Sequence, residues 1–212
     1  MTPLRKSNLK PFSGYQKTPT TADGWIVGNL PQGCQSCMQG QKLVYFMGGD
    51  CSRPPHCAWY CPINPARRNP EAYFADEIKI PNPHDESAVL SILVEETKKI
   101  NGTGMSFTGG DPLSSPAKCA HVITIIKAMK ATFGTDFHIH LYTNGITFNA
   151  LLADQLDEAG LDEIRFHPQE ADFGKIDLAI GHHYQVGAEV PVIPTEANHQ
   201  YLLALADHPT LS

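Results

Sequence analysis

The stretch Phe137-His138-Ile139-His140-Leu141-Tyr142-Thr143-Asn144-Gly145 decides the fold. A strand sends successive side chains to opposite faces, so Ile139 and Leu141 share one face while His138, His140 and Tyr142 share the other. The next β-like run repeats the pattern, with Ile164 and Phe166 opposite Glu163, Arg165 and His167. A flat sheet covered by helices on both faces has nearly continuous apolar strands. Strands that are apolar on one face only point instead to a curved sheet, its outer face against helices and its polar inner face lining a lumen.

Outward from this stretch, similar runs alternate with amphipathic helical patterns. Strands are expected at Leu43–Met47, Met105–Thr108, Phe137–Thr143, Glu163–His167 and Gln185–Val192. Asp85 caps a helix that carries Val89, Ile92, Leu93 and Ile100 and stops at Gly102. Ser115-Pro116 opens a second, with Val122, Ile126, Met129 and Phe133 on one face and Gly134 after it. Thr147 begins a third that turns Leu151, Leu152 and Leu156 inward and ends at Gly160. A short helix fits Gly174–His183, and Thr195 caps a last one through Ala206. Strands and helices in strict alternation predict a parallel sheet with right-handed crossovers. The expected fold is therefore α/β, a partial (βα) barrel of about five to six strands over residues 43–212, preceded by an extended lead-in, residues 1–42, that carries Cys34 and Cys37.

Composition bounds the function. The 212 residues hold 16 Lys plus Arg against 22 Asp plus Glu, a formal charge of −6, which argues against a dedicated nucleic-acid binder. No run approaches the roughly 18 apolar residues of a membrane span, and Met1 to Gly24 lacks the apolar centre of a signal peptide, so a cytoplasmic protein is expected.

Five of the six cysteines, Cys34, Cys37, Cys51, Cys57 and Cys61, fall close together, and Cys119 stands alone on an apolar helix face as a small core residue. In a reducing compartment such a cluster binds metal or does redox chemistry more often than it forms cystines. Three thiolates after the first strand suit a 4Fe-4S cluster with one iron left open. The same spacing equally suits a structural zinc site pairing Cys34 and Cys37 with two of Cys51, Cys57 and Cys61. His138, His140 and His167 either act on a substrate in the lumen or serve as structural hydrogen-bonding groups, while His182 and His183 read as surface residues.

Every unusual segment lies at the end of an expected strand, where α/β folds place their sites. These are Gly48-Gly49-Asp50-Cys51 through Tyr60-Cys61-Pro62, Gly109-Gly110-Asp111-Pro112, Tyr142-Thr143-Asn144-Gly145, Arg165-Phe166-His167-Pro168 and Gly187-Ala188-Glu189-Val190-Pro191. The three-cysteine loop, the aromatic residue before its last cysteine and the Gly-Gly-Asp-Pro turn resemble the radical S-adenosylmethionine superfamily. More narrowly, segments spread over residues 33–194 resemble a prokaryotic group related to glycyl-radical activating enzymes. The resemblance implies that Cys51, Cys57 and Cys61 hold a 4Fe-4S cluster whose open iron takes the amino and carboxylate groups of S-adenosylmethionine. It implies that Tyr60 lies near the adenine, that Gly109, Gly110 and Asp111 meet the methionyl ammonium, that Thr143 and Asn144 bond the ribose or carboxylate, that Arg165 makes a charge-assisted bond to the carboxylate, and that Glu189 orients the ribose. It also implies a one-electron donor such as a flavodoxin or ferredoxin, a 5′-deoxyadenosyl radical that abstracts hydrogen, and a protein or peptide substrate. The usual C-x3-C-x2-C spacing is lengthened here to C-x5-C-x3-C, which leaves open whether the loop closes around a catalytic cluster. The rival expectation is a zinc-binding scaffold on a barrel without catalysis.

Overall fold

Alternation along the strands builds the sheet. In the computed structural model, which describes residues 17–19, 25–27, 30–51, 61, 63–168 and 173–208, the parallel strands are β3 (Lys42–Met47), β6 (Gly104–Thr108), β7 (His138–Thr143), β8 (Glu163–Phe166) and β9 (Gln185–Ala188). Two strands precede them, β1 (Lys17–Pro19) and β2 (Trp25–Val27), paired antiparallel with each other. A hairpin of β4 (Tyr73–Ala75) and β5 (Ile78–Lys79) adds antiparallel to the outer side of β3, giving the order β5-β4-β3-β6-β7-β8-β9. The parallel strands advance in one direction without reversal, the winding of a barrel rather than of a doubly wound sheet with a switch point. The chain thus has a mixed α/β fold consistent with a partial radical S-adenosylmethionine barrel.

The helices are α2 (Glu86–Lys99), α3 (Pro116–Phe133), α4 (Ala150–Ala159), α5 (Gly174–Asp177) and α6 (Glu196–Ala206), with α1 (Gln32–Met38) ahead of β3. Asp85, Ser115, Asn149 and Thr195 cap α2, α3, α4 and α6 by accepting the N–H of Ala88, Lys118, Leu152 and Asn198. The third expected helix starts later than Thr147 because that hydroxyl donates to Leu113 O, and Asn149 takes over the cap. The expected helix at Gly174–His183 shortens to α5, and β9 ends at Ala188, before Pro191. Ile139, Leu141, Ile164 and Phe166 are buried in one core with Val89, Leu93, Val122, Ile126, Met129, Leu152 and Leu156, as the alternation demands. None of the described helices is long and apolar enough to cross a membrane.

The opposite face carries the polar residues in layers. Strand register places Lys42, Gly104 and His138 in the first, Ser106, His140 and Glu163 in the next, and Tyr142, Arg165 and Gly187 toward the C-terminal ends. Here the structure corrects the expected extended lead-in: Cys34 and Cys37 lie in the helix α1, which packs on β3, β6 and β7. Gly33 permits the approach, since a Cβ there would run into His140 Nδ1 and Lys42 Nζ. Its N–H donates to Glu163 Oε2 (3.3 Å). The lumen is therefore floored by α1, and residues 30–42 pack with the barrel instead of preceding it.

Candidate functional site

Above that floor, at the C-terminal ends of the parallel strands, a cavity of about 190 Å³ is lined by Cys51, Cys61, Thr108, Gly109, Gly110, Tyr142, Thr143, Asn144, Arg165, His167 and Glu189. Seven of the expected binding or ligand positions besides Cys51 thus meet in one place: Cys61, Gly109, Gly110, Thr143, Asn144, Arg165 and Glu189. Cys57 and Tyr60 lie outside the described residues. His167, one of the histidines expected in the lumen, also lines the cavity, and Thr108 and Tyr142 join it through their places at the ends of β6 and β7.

The loops after β3 and β6 are locked face to face. Gly110 N–H donates to Gly48 O (2.7 Å) and Asp111 N–H to Asp50 O (2.9 Å). Gly109 has φ +132°, and a Cβ at Gly110 would run into Asp50 O, so both glycines are required by the close approach. Asp111, also expected at the cosubstrate, is not among the residues that line this cavity. Its side chain is buried and accepts Leu113 N–H (2.9 Å), Thr143 Oγ1–H (3.0 Å) and Asn144 N–H (3.2 Å), tying β6 to β7 instead of facing the cavity. Burial raises its pKa, and those hydrogen bonds oppose the rise. The Thr143 hydroxyl is likewise engaged, donating to Asp111 and accepting Gly145 N–H. Asn144 Oδ1 accepts Ile146 N–H (2.9 Å), which leaves its NH₂ group as the side chain's bonding capacity for a ligand.

Arg165 lines the same cavity as Cys51 and Cys61. Its Nε donates to Glu163 Oε1 (2.7 Å), and Gly187 makes room for it, because a Cβ there would run into Nη1. Glu163, almost fully buried, thus joins α1 through Gly33 to Arg165. Burial, and secondarily Glu163, raises the pKa of Cys34, while Cys37 is exposed.

Ligand atoms of His138, His140 and Glu163 lie within 4.8 Å of one another, close enough to suggest a metal. Two resident cations fill the surroundings: Lys42 Nζ contacts His140 Nδ1, and Arg165 holds Glu163. A dication beside an ammonium and a guanidinium meets repulsion in a poorly screened interior, so these residues form a buried polar network. Burial first, then Lys42, keeps His140 neutral, its pKa pushed down to about 2. A larger cleft, about 650 Å³, opens at the other end of the strands, where its Lys130–Asp162 and His183–Asp157 pairs already satisfy each other.

The donor set fits a 4Fe-4S cluster as far as it is described, with Cys51 and Cys61 half-buried on one cavity and facing a backbone cradle of two glycines. The zinc pairing gains no such support. Among the described residues, no set of three close ligand atoms combines Cys34 or Cys37 with Cys51 or Cys61.

The model of a family described as a 4Fe-4S single cluster domain matches residues 34–166. A Methanocaldococcus jannaschii protein named as a glycyl-radical enzyme activating enzyme is 34% identical over 189 residues, covering 84% of this chain and 47% of its own. The chain thus spans about half the length of that relative. No solved structure matches. With the matched residues running from α1 to the end of β8, the chain belongs to the family described as a 4Fe-4S single cluster domain.

Proposed function

We propose that this chain is a radical S-adenosylmethionine enzyme that holds a 4Fe-4S cluster on Cys51, Cys57 and Cys61 and acts on a protein or peptide, by kinship with an activating enzyme. The observation that carries the reading is the single cavity joining Cys51 and Cys61 to Gly109, Gly110, Asn144, Arg165 and Glu189. Backbone carbonyls beside Gly109 and Gly110 suit an ammonium, and the oriented Arg165 suits a carboxylate, which together are the two charged groups of a bound amino acid. Asn144 NH₂ and Glu189 are left for ribose hydroxyls, and Tyr60 for the adenine. When bound, the cluster and cosubstrate supply a one-electron reductive cleavage to methionine and a 5′-deoxyadenosyl radical. The chain's own part is to fix the two charged ends, to keep Arg165 aligned through Glu163, and to close the lumen with α1 against water. A flavodoxin or ferredoxin is the class of electron donor, and a reducing cytoplasm is the compartment such a cluster needs.

The test is anaerobic purification with iron and sulfide analysis and a visible spectrum, wild type beside Cys51→Ala and Cys57→Ala. About four irons per chain in the wild type, lost in both variants, and 5′-deoxyadenosine formed with S-adenosylmethionine and dithionite, are the expected results. A colourless wild type that resists reconstitution and carries zinc overturns the reading in favour of the scaffold.

A further inference from the structure

The loop that delivers Cys51 is held by a side chain from another element, and nothing in the cavity lining accounts for it. Lys118, in the first turn of α3, is 8% exposed. Its Nζ donates to Met47 O (2.8 Å), the last carbonyl of β3, and to Asp50 Oδ1 (2.6 Å), the residue before Cys51. Asp50 Oδ2 accepts Ser114 Oγ–H (3.4 Å), and Asp50 O accepts Asp111 N–H. On its other side the loop is tied by Gly49 N–H to Asn69 O (2.9 Å). Lys118 therefore spans both ends of Met47-Gly48-Gly49-Asp50 and pulls them onto the base of the Gly109-Gly110-Asp111 turn.

A buried ammonium is costly unless its hydrogen bonds are satisfied, and here a carboxylate and a carbonyl satisfy it from the same loop. The pair earns its keep only if that loop needs a fixed shape: Gly48 is at φ +70°, a conformation without a helix or ladder to sustain it. We infer that Lys118, through Asp50, is a positioning residue that sets the Cys51 loop in register with the Gly109-Gly110 cradle. The functional meaning of the clamp rests on the reading that Cys51 is a cluster ligand, whereas the clamp itself exists without a cluster. Lys118 touches neither cosubstrate nor reacting atoms in this scheme. It acts by holding a ligand and a binding turn at one distance.

The experiment separates the two dependencies. Hydrogen exchange on the cluster-free chain reads the amides of Gly110 and Asp111, which the clamp protects, in wild type, Lys118→Met, Lys118→Arg and Asp50→Asn. Exchange in Lys118→Met is expected to speed up at least about tenfold at these two amides while β7 stays as in wild type, with Lys118→Arg recovering most of the protection. On reconstituted protein, Lys118→Met is expected to keep its iron but to lose the change in the reduced cluster's EPR spectrum that S-adenosylmethionine produces in wild type. Unchanged exchange at Gly110 and Asp111 overturns the clamp. Faster exchange with a wild-type EPR response to S-adenosylmethionine confines Lys118 to a structural role and overturns the positioning inference. If the wild type takes up no iron, the functional meaning of the clamp falls with the cluster reading, while the exchange result still decides the clamp.

Discussion

Arg165 is fixed at Nε by Glu163 and given room by Gly187, so its remaining guanidinium N–H groups are aligned before any ligand arrives. A charge-assisted hydrogen bond to a carboxylate is worth roughly 1.5–3 kcal/mol, so Arg165→Met should weaken S-adenosylmethionine binding by about 10- to 100-fold. Iron content should stay at the wild-type level, and equilibrium dialysis with the reconstituted protein checks both. Lys42 gives a second residue-scale prediction. Burial pushes its pKa down to about 8 from 10.5. Below pH 8 the ammonium is carried in both folded and unfolded chains, and the folded one bears the cost of burying it. Between about 8 and 10.5 the folded chain gives up this proton first, so the group's contribution to stability rises with pH. The difference in unfolding free energy, wild type minus Lys42→Met, should therefore climb from about pH 8 to about pH 10 in urea titrations. At this scale the sequence exposed which side chains are polar and where strands end. It did not expose which partners they find: Asp111 reads as a ligand-facing carboxylate until three donors from Leu113, Thr143 and Asn144 are seen around it.

Among the elements, α1 offers the clearest test. Gly33→Ala adds a methyl where His140 Nδ1 and Lys42 Nζ already sit, an overpacking expected to cost about 1–3 kcal/mol. Thermal unfolding should fall accordingly, and limited proteolysis should cut near α1 sooner than in the wild type. The helix was not legible beforehand because its buried face holds only Gly33 and Ser36, so no apolar period marks it. Helices α2 and α3 were legible because caps at Asp85 and Ser115 coincide with apolar stripes that the core requires, and α6 was legible from its cap at Thr195. The hairpin β4-β5 escaped notice for a different reason. Its strands have three and two residues, too short for alternation to register, and its turn uses Asp76 at φ +51° without a glycine to advertise it.

For the whole molecule, the linear strand order sets a gradient of protection. Central strands β6 and β7 have parallel neighbours on both sides, whereas β5 and β9 lie at the two ends of the order. Amide exchange should accordingly be slowest in β6 and β7 and fastest in β5 and β9, and uniform rates across the sheet would contradict that order. The gradient bears on the floor of the lumen as well. Gly33 meets Glu163 across a separation of 130 residues. Closing a loop that long is entropically expensive, and the reward is a few polar contacts rather than a hydrophobic seam. During synthesis α1 leaves the ribosome before its docking surface on β7 and β8 has been made. It has to wait, unpartnered, until most of the chain has followed, so the seat beneath the cavity is filled late in folding although it comes early in the chain.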